Sequence, residues 1–274
     1  MIPSSQQPKQ TKQASQTTHS KIPSIIAAVI CLGFAIWSIL WFWSAVLTVR
    51  PETIITEWEK HQREENQPTE QQAIVDETLA NSMIARLKQS LAINPLDANS
   101  HLLLARFYEQ LVKTDTTNQY TQLAEASYQL ATQHQPSWDY AWARLANFYS
   151  NQTETNAINI NHELKNALEN ALTNAIFLGP YEKRNQHIII PLIFKHWSLL
   201  QQEQQTELSQ QSQQSQQAKN QITKIIKKAL QTSYALLTLD SAKKHQRLKE
   251  LEPLLTKQWH INRLNKYLRE ASNE

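Results

Sequence analysis

Glycine occurs twice in the 274 residues, at Gly33 and Gly179, and cysteine once, at Cys31. Two glycines cannot build the phosphate-cradling loops of dinucleotide or P-loop folds, which need several in one short turn. The lone cysteine lies inside an apolar run, so disulfides, a thiolate nucleophile in the polar part and cysteine-based zinc sites are all excluded. No His-x3-His or His-Glu-x2-His spacing occurs among the nine histidines, which removes the helical zinc motifs. No Gly-x-Ser-x-Gly elbow is present for a serine nucleophile. Glu57 with Glu59, or Glu163 with Glu169, offers a carboxylate pair for glycoside chemistry, but acids this frequent on helices pair by chance. No stretch alternates apolar and polar residues with period two between turns, so no sheet is expected. The sequence therefore predicts no catalytic residue, no cofactor site, no metal site and no enzyme.

Charge is missing altogether between Ile25 and Val49. At about 1.5 Å per residue this run reaches roughly 37 Å, more than the ~30 Å hydrocarbon core of a bilayer. Trp41, Phe42 and Trp43 sit where amphipathic rings favour the headgroup region, and Arg50 closes the run. A signal peptide would have a shorter apolar stretch and a small-residue cleavage site, for which Ser44-Ala45 is the only candidate, so a retained anchor over 22–50 is expected. Lys9, Lys12 and Lys21 on one side tie with Arg50, Lys60 and Arg63 on the other. The free amino terminus and the acid-free tail tip the balance, placing the N-terminus in the cytoplasm and the large domain across the membrane. Residues 1–21, rich in Gln, Ser, Thr and Lys, read as a disordered tail.

Beyond the anchor the net charge of +3 conceals an asymmetry: residues 219–274 carry 12 Lys/Arg against 5 Asp/Glu, leaving 50–218 acidic. A basic end of this kind suits an anionic polymer such as an acidic polysaccharide, or simply a solvated helix face. It lacks the interleaved aromatics of a nucleic-acid surface, and no nucleic acid is expected as a partner.

Prolines mark an internal repeat. Counted from Pro136, Trp142, Leu145, Ala146 and Tyr149 follow at fixed offsets; the same offsets from Pro95 give His101, Leu104, Ala105 and Tyr108. Before Pro136 stand Ala124, Tyr128 and Ala131, and before Pro180 stand Leu168, Leu172 and Ala175. This resembles the tetratricopeptide repeat (TPR) pattern of paired helices, in which small residues let partner helices approach and a proline separates one pair from the next. The prolines are 41 and then 44 residues apart, longer than that repeat, which assigns Thr114–Gln119 and Asn151–Asn161 to polar inserts. After Pro180 the pattern lapses, with Gln186 at the tryptophan offset and Ile190 at the small-residue offset.

The expected fold is all-α: one transmembrane helix, a juxtamembrane segment over 51–70, then a TPR-like α-solenoid over 71–200 with C-terminal capping helices. Helices are placed at 71–93, 99–112, 120–134, 139–150, 162–178 and 188–205. Residues 201–218, rich in Gln and Ser, read as a flexible insert, and 219–274 as basic amphipathic helices, with Pro253 kinking or dividing the last. In the repeat register Asn99, Arg106, Tyr140 and Asn147 turn toward the groove where a partner segment would lie. Arg106 is the residue expected to hold a carboxylate.

Asn94-Pro95-Leu96-Asp97, Trp138 to Ala143, Ala175 to Glu182, Gln186 and Trp197 together resemble the VpsP-type polysaccharide biosynthesis proteins, over roughly residues 22–200. The resemblance implies a membrane-anchored accessory protein of exopolysaccharide or capsule production in the inner membrane of a Gram-negative bacterium. Its domain would be periplasmic, and its partners the proteins of a synthesis and export complex. A tethered adaptor or chaperone for protein export or cytochrome maturation fits the same architecture.

Overall fold

The computed structural model describes residues 22–64, 76–112, 118–155, 162–201 and 210–272. The expected tail over 1–21, the end of the juxtamembrane segment and the start of the next expected helix at 65–75, and the parts of the expected inserts at 114–117, 156–161 and 202–209 lie outside the described residues. Among the described residues every regular element is helical. The chain divides into two units, one up to Trp43 and one from Ser44 onward.

Helix α1 (Ile22–Glu64) carries both the apolar run and the juxtamembrane segment without interruption, and holds Pro51 in its interior. Proline removes one backbone donor there. Thr48, Thr53 and Thr56 donate their hydroxyls to carbonyls three or four residues back along the same stretch. All 19 residues from Ile25 to Trp43 are exposed, and at about 1.5 Å each they span roughly 28 Å, close to the core of a bilayer. From Ser44 the pattern changes: Ser44, Leu47, Thr48, Pro51 and Ile55 are buried. The spacing of these residues is that of one helix face. The apolar run expected to end at Val49 therefore stops being exposed all round one and a half turns earlier.

Helices α2 (Glu77–Ile93), α3 (Ala98–Leu111), α4 (Gln119–His134), α5 (Asp139–Thr155) and α6 (His162–Leu178) follow. Asp76 caps α2 by accepting from the Leu79 amide, and Asp97 caps α3 by accepting from the Asn99 and Ser100 amides. Such caps satisfy donors that the first helical turn leaves open. Asn118 precedes α4 in the left-handed region, at φ 59°, which Asn tolerates better than most residues. The most extensive packing joins α3 to α4 and α5 to α6. Ala105, Ala124, Ala131, Ala146 and Ala175 are fully buried, so the paired backbones meet over methyl groups.

Three expectations change in this region. Asn151 to Thr155 belong to α5 and not to a polar insert. The helix after Pro180 begins not at Ile188 but at Lys183, and α7 (Lys183–Lys195) takes Pro191 into its interior. The five-residue α8 (Trp197–Gln201) is separate, so one helix over 188–205 is replaced by two. The earlier start keeps a spacing that the side chains obscure: α3, α5 and α7 begin three residues after Pro95, Pro136 and Pro180.

Gln210 to Ala218, expected to be flexible, form the first part of α9 (Gln210–Leu230). Glutamine is a good helix former, and the buried face of Ile222, Ile225, Ile226, Ala229 and Leu230 supplies the packing that a polar extension can grow from. α9 packs on α6, and α10 (Ala235–Lys244) packs on α7 and α9. Pro253 lies in a 3-10 helix (Leu248–Leu254) ahead of α11 (Gln258–Ser272), dividing the C-terminal segment as expected.

Candidate functional site

Leu104, Ala105, Tyr108, Ala124, Tyr128, Ala131, Leu145, Ala146 and Tyr149 are all buried. Trp142 is half-buried, and its indole N–H donates to the Pro136 carbonyl at 2.8 Å. His101 makes the matching contact one unit earlier, its Nε2 lying 2.9 Å from the Pro95 carbonyl. Two different rings thus tie the start of a helix to the proline six residues before it.

The buried tyrosines carry acid partners. Tyr128 donates to Glu109 at 2.5 Å, and burial together with that carboxylate pushes its phenol well above the ordinary range. Tyr149 donates to Glu125 at 3.1 Å and is pushed up to about 12, chiefly by burial.

Burial also lowers the pKa of His101, with the His134 ring acting the same way and the Pro95 bond and Asp97 opposing. A histidine held neutral in the fold but free to protonate when unfolded stabilises fully above about pH 6.5. That contribution is lost as pH falls from there toward the lower folded value. His101→Gln keeps an N–H donor and removes the titration, so it should flatten part of the acid loss seen in urea denaturation at pH 7.5 and pH 5. His260, also lowered by burial, supplies a residual slope in both proteins. An unchanged pH dependence in His101→Gln would remove His101 from the account.

The four groove residues are not equivalent. Asn99, Tyr140 and Asn147 are half-buried, whereas Arg106, expected to face an open groove, is buried. Its guanidinium grips Glu59 of α1 with two contacts of 2.9 Å, Nε to Oε1 and Nη2 to Oε2. Arg144 of α5 binds the same carboxylate, and the three side chains are only 6%, 11% and 14% exposed for Arg106, Arg144 and Glu59. Ile55 is fully buried beside them and Trp58 packs edge-on against Phe107 at 5.7 Å. Higher on α1, Ser44 bonds Ser90 at 2.8 Å, and Ser90 in turn bonds Ser100 at 3.1 Å. The chain's own α1 therefore covers part of the face expected to receive a partner.

The signal that would have revealed this is the spacing of Ile55, Trp58 and Glu59, one apolar stripe ending in an acid. The repeat offsets do not show it, because the juxtamembrane stretch has no counterpart among them.

Two guanidiniums lie near the Tyr140 ring: Arg144, already on Glu59, at 5.7 Å and Arg184 at 5.4 Å from its centre. Arg144 is lowered to about 10 by burial, and its Nε is buried with no hydrogen-bond partner among the described residues. The carboxylate of Asp139 is turned elsewhere, to the Asn185 amide at 2.6 Å and the Tyr140 backbone N–H at 2.8 Å.

At the basic end a cleft of about 990 Å³ is lined by Asp240, Lys243, Lys244, Lys249 and Tyr267, among others. Part of its charge is already used, since Lys243 pairs with Glu270 at 2.5 Å and Tyr267 donates to Asp240 at 2.5 Å. No group of three or more His, Cys, Asp or Glu side chains is disposed to hold a metal among the described residues. Comparison with family models, with curated proteins and with solved structures gives no match.

Proposed function

We propose that this chain is a single-pass membrane scaffold that works by binding proteins and not by catalysis, its helical hairpins forming a TPR-like array. The observation that carries the reading is α1: an exposed apolar stretch of 19 residues continues, in one helix, into a face built on α2, α3 and α5. Such a helix suits a domain that must be held at a bilayer surface. The matched ring-to-proline contacts of His101 and Trp142, and the buried alanines between paired helices, support the repeat assignment. The third unit departs from the usual form. Its first helix α7 finds its main partner in α10, with α8 and α9 intervening in sequence.

The sequence resemblance to VpsP-type proteins suggests the pathway in this reading: assistance to synthesis and export of an exopolysaccharide or capsule. In this reading the N-terminus is cytoplasmic, the anchor lies in the bacterial inner membrane and the domain is periplasmic. The basic C-terminal cleft is an accessory contact for anionic polysaccharide.

In-cell crosslinking followed by affinity purification from detergent-solubilised membranes tests the proposal. Glycosyltransferases, chain-length regulators or export-channel proteins are expected among the crosslinked partners. Recovery of protein-export or cytochrome-assembly components instead would keep the scaffold and sink the polysaccharide assignment. Recovery of the protein in the soluble fraction after alkaline carbonate washing would sink the anchor.

A further inference from the structure

Resting on the scaffold reading, we propose that Arg106, Arg144 and Arg184 form a recognition site for an acidic segment of a partner protein, of which Glu59 fills one carboxylate position from within the chain.

Charge is the first argument. Arg106 and Arg144, from α3 and α5, meet at Glu59, Arg144 and Arg184, from α5 and α7, meet at Tyr140, and Glu59 is the one carboxylate that pairs with any of the three among the described residues. Two of the three are buried or nearly so, where an uncompensated positive charge is costly. Arg106 uses two of its nitrogens on Glu59, and Arg144 shares that same acid. A second carboxylate would therefore lower the energy of the site.

The second argument is the orphaned donor. Arg144 Nε is buried and unpartnered among the described residues, so Glu59 does not exhaust the hydrogen-bonding capacity of the cluster. Arginine's planar fork matches carboxylates with two parallel bonds, so an acid is the ligand class these side chains suit best. Arg184, exposed and in no ion pair among the described residues, lies 5.4 Å from the Tyr140 ring centre and is the solvent-facing member of the three.

The bound α1 segment decides the class of ligand. It is a polypeptide, and it presents an aromatic beside an acid: Trp58 rests on Phe107 while Glu59 meets the arginines. A partner segment carrying Asp or Glu beside an apolar residue would extend the same chemistry toward Arg184. An acidic sugar or a lipid phosphate would satisfy the charge but not repeat this pairing of ring and acid.

The test is a random dodecapeptide display selection on the full-length protein in detergent micelles, run side by side on wild type and Arg184→Glu. Arg184 is exposed, so the variant should fold. Peptides selected on wild type are expected to be enriched in Asp and Glu. Individual binders should weaken by about tenfold or more in Arg184→Glu, should recover in Arg184→Lys, and should lose affinity as salt is raised. Selected peptides without acidic enrichment, or acidic peptides indifferent to Arg184→Glu, would overturn the site. Oligogalacturonate or phosphatidylglycerol vesicles binding in an Arg184-dependent way, where acidic peptides do not, would overturn the peptide assignment. The two proposals fail separately: crosslinked partners without acidic-peptide binding leave the scaffold standing, and acidic-peptide binding without crosslinked partners leaves only the site.

Discussion

Glu59→Gln is expected to lower the stability of the helical domain by about 3–5 kcal/mol, the range for removing one partner from a buried ion pair. Two guanidiniums depend on this carboxylate, and all three side chains are at most 14% exposed. Glutamine preserves volume and can still accept one hydrogen bond, so the loss isolates the charge. Such burial sets the pair apart from surface salt bridges, whose contribution is about 0–1 kcal/mol. Urea denaturation of the detergent-solubilised protein, followed by tryptophan fluorescence, reads the change directly because Trp58 lies one residue away. Adding Arg106→Met to Glu59→Gln should recover part of the loss by removing one stranded cation. A loss below about 1 kcal/mol for the single variant would mean that water reaches the cluster and that α1 is only loosely held.

Gly179→Ala carries the second large effect, of about 2–4 kcal/mol, by the combined cost of overpacking and a broken buried hydrogen bond. Gly179 has no positive φ, so the backbone itself would accept alanine. The obstacle is Asp139, whose carboxylate occupies the space a β-carbon would need. That carboxylate accepts from Asn185, which is fully buried and whose Oδ1 already has no partner among the described residues. Pushing Asp139 aside would leave the whole Asn185 amide unsatisfied. It would also loosen the joint where the turn before α7 meets the start of α5. Asp139→Ala should be costly alone yet make Gly179→Ala nearly free, a non-additivity expected only of groups in contact. Thermal melts of the two single variants and the double variant measure that coupling, and simple additivity would refute the clash.

Much of this architecture was legible because it is local. The Pro95 and Pro136 offsets placed Ala105, Ala146, Leu104, Leu145 and Tyr149 in the interior, and helix α6 falls at the expected 162–178. Small residues at fixed spacing report close helix approach whatever else the chain does. Gln186, a polar residue at the aromatic offset, is where the side-chain pattern lapses. It is buried, and α7 begins at the same distance from its proline as α3 and α5. Backbone geometry persisted while side-chain chemistry changed.

Arg106, expected to face an open groove, is instead buried on an acid of the same chain. Arg106 has the right type and register for a carboxylate, but no local pattern says that the acid lies 47 positions upstream. Contacts of that separation depend on how α1 returns to α3, and Ile55 and Trp58 hint at it only through their spacing. Gln210 to Ala218 show the converse error, since composition suggested flexibility where a neighbouring apolar face carries the helix onward.

The ion pairs at Glu59 also bear on how the domain can be released. Between Glu64 and Asp76 the peptide chain is the covalent link from α1 to everything that follows. A protease cutting there would sever that link and still leave Ile55, Trp58 and Glu59 seated against Phe107, Arg106 and Arg144. Shedding would then require pulling a buried carboxylate from two arginines, so a nicked protein should remain with the apolar helix through washing and leave it only on unfolding.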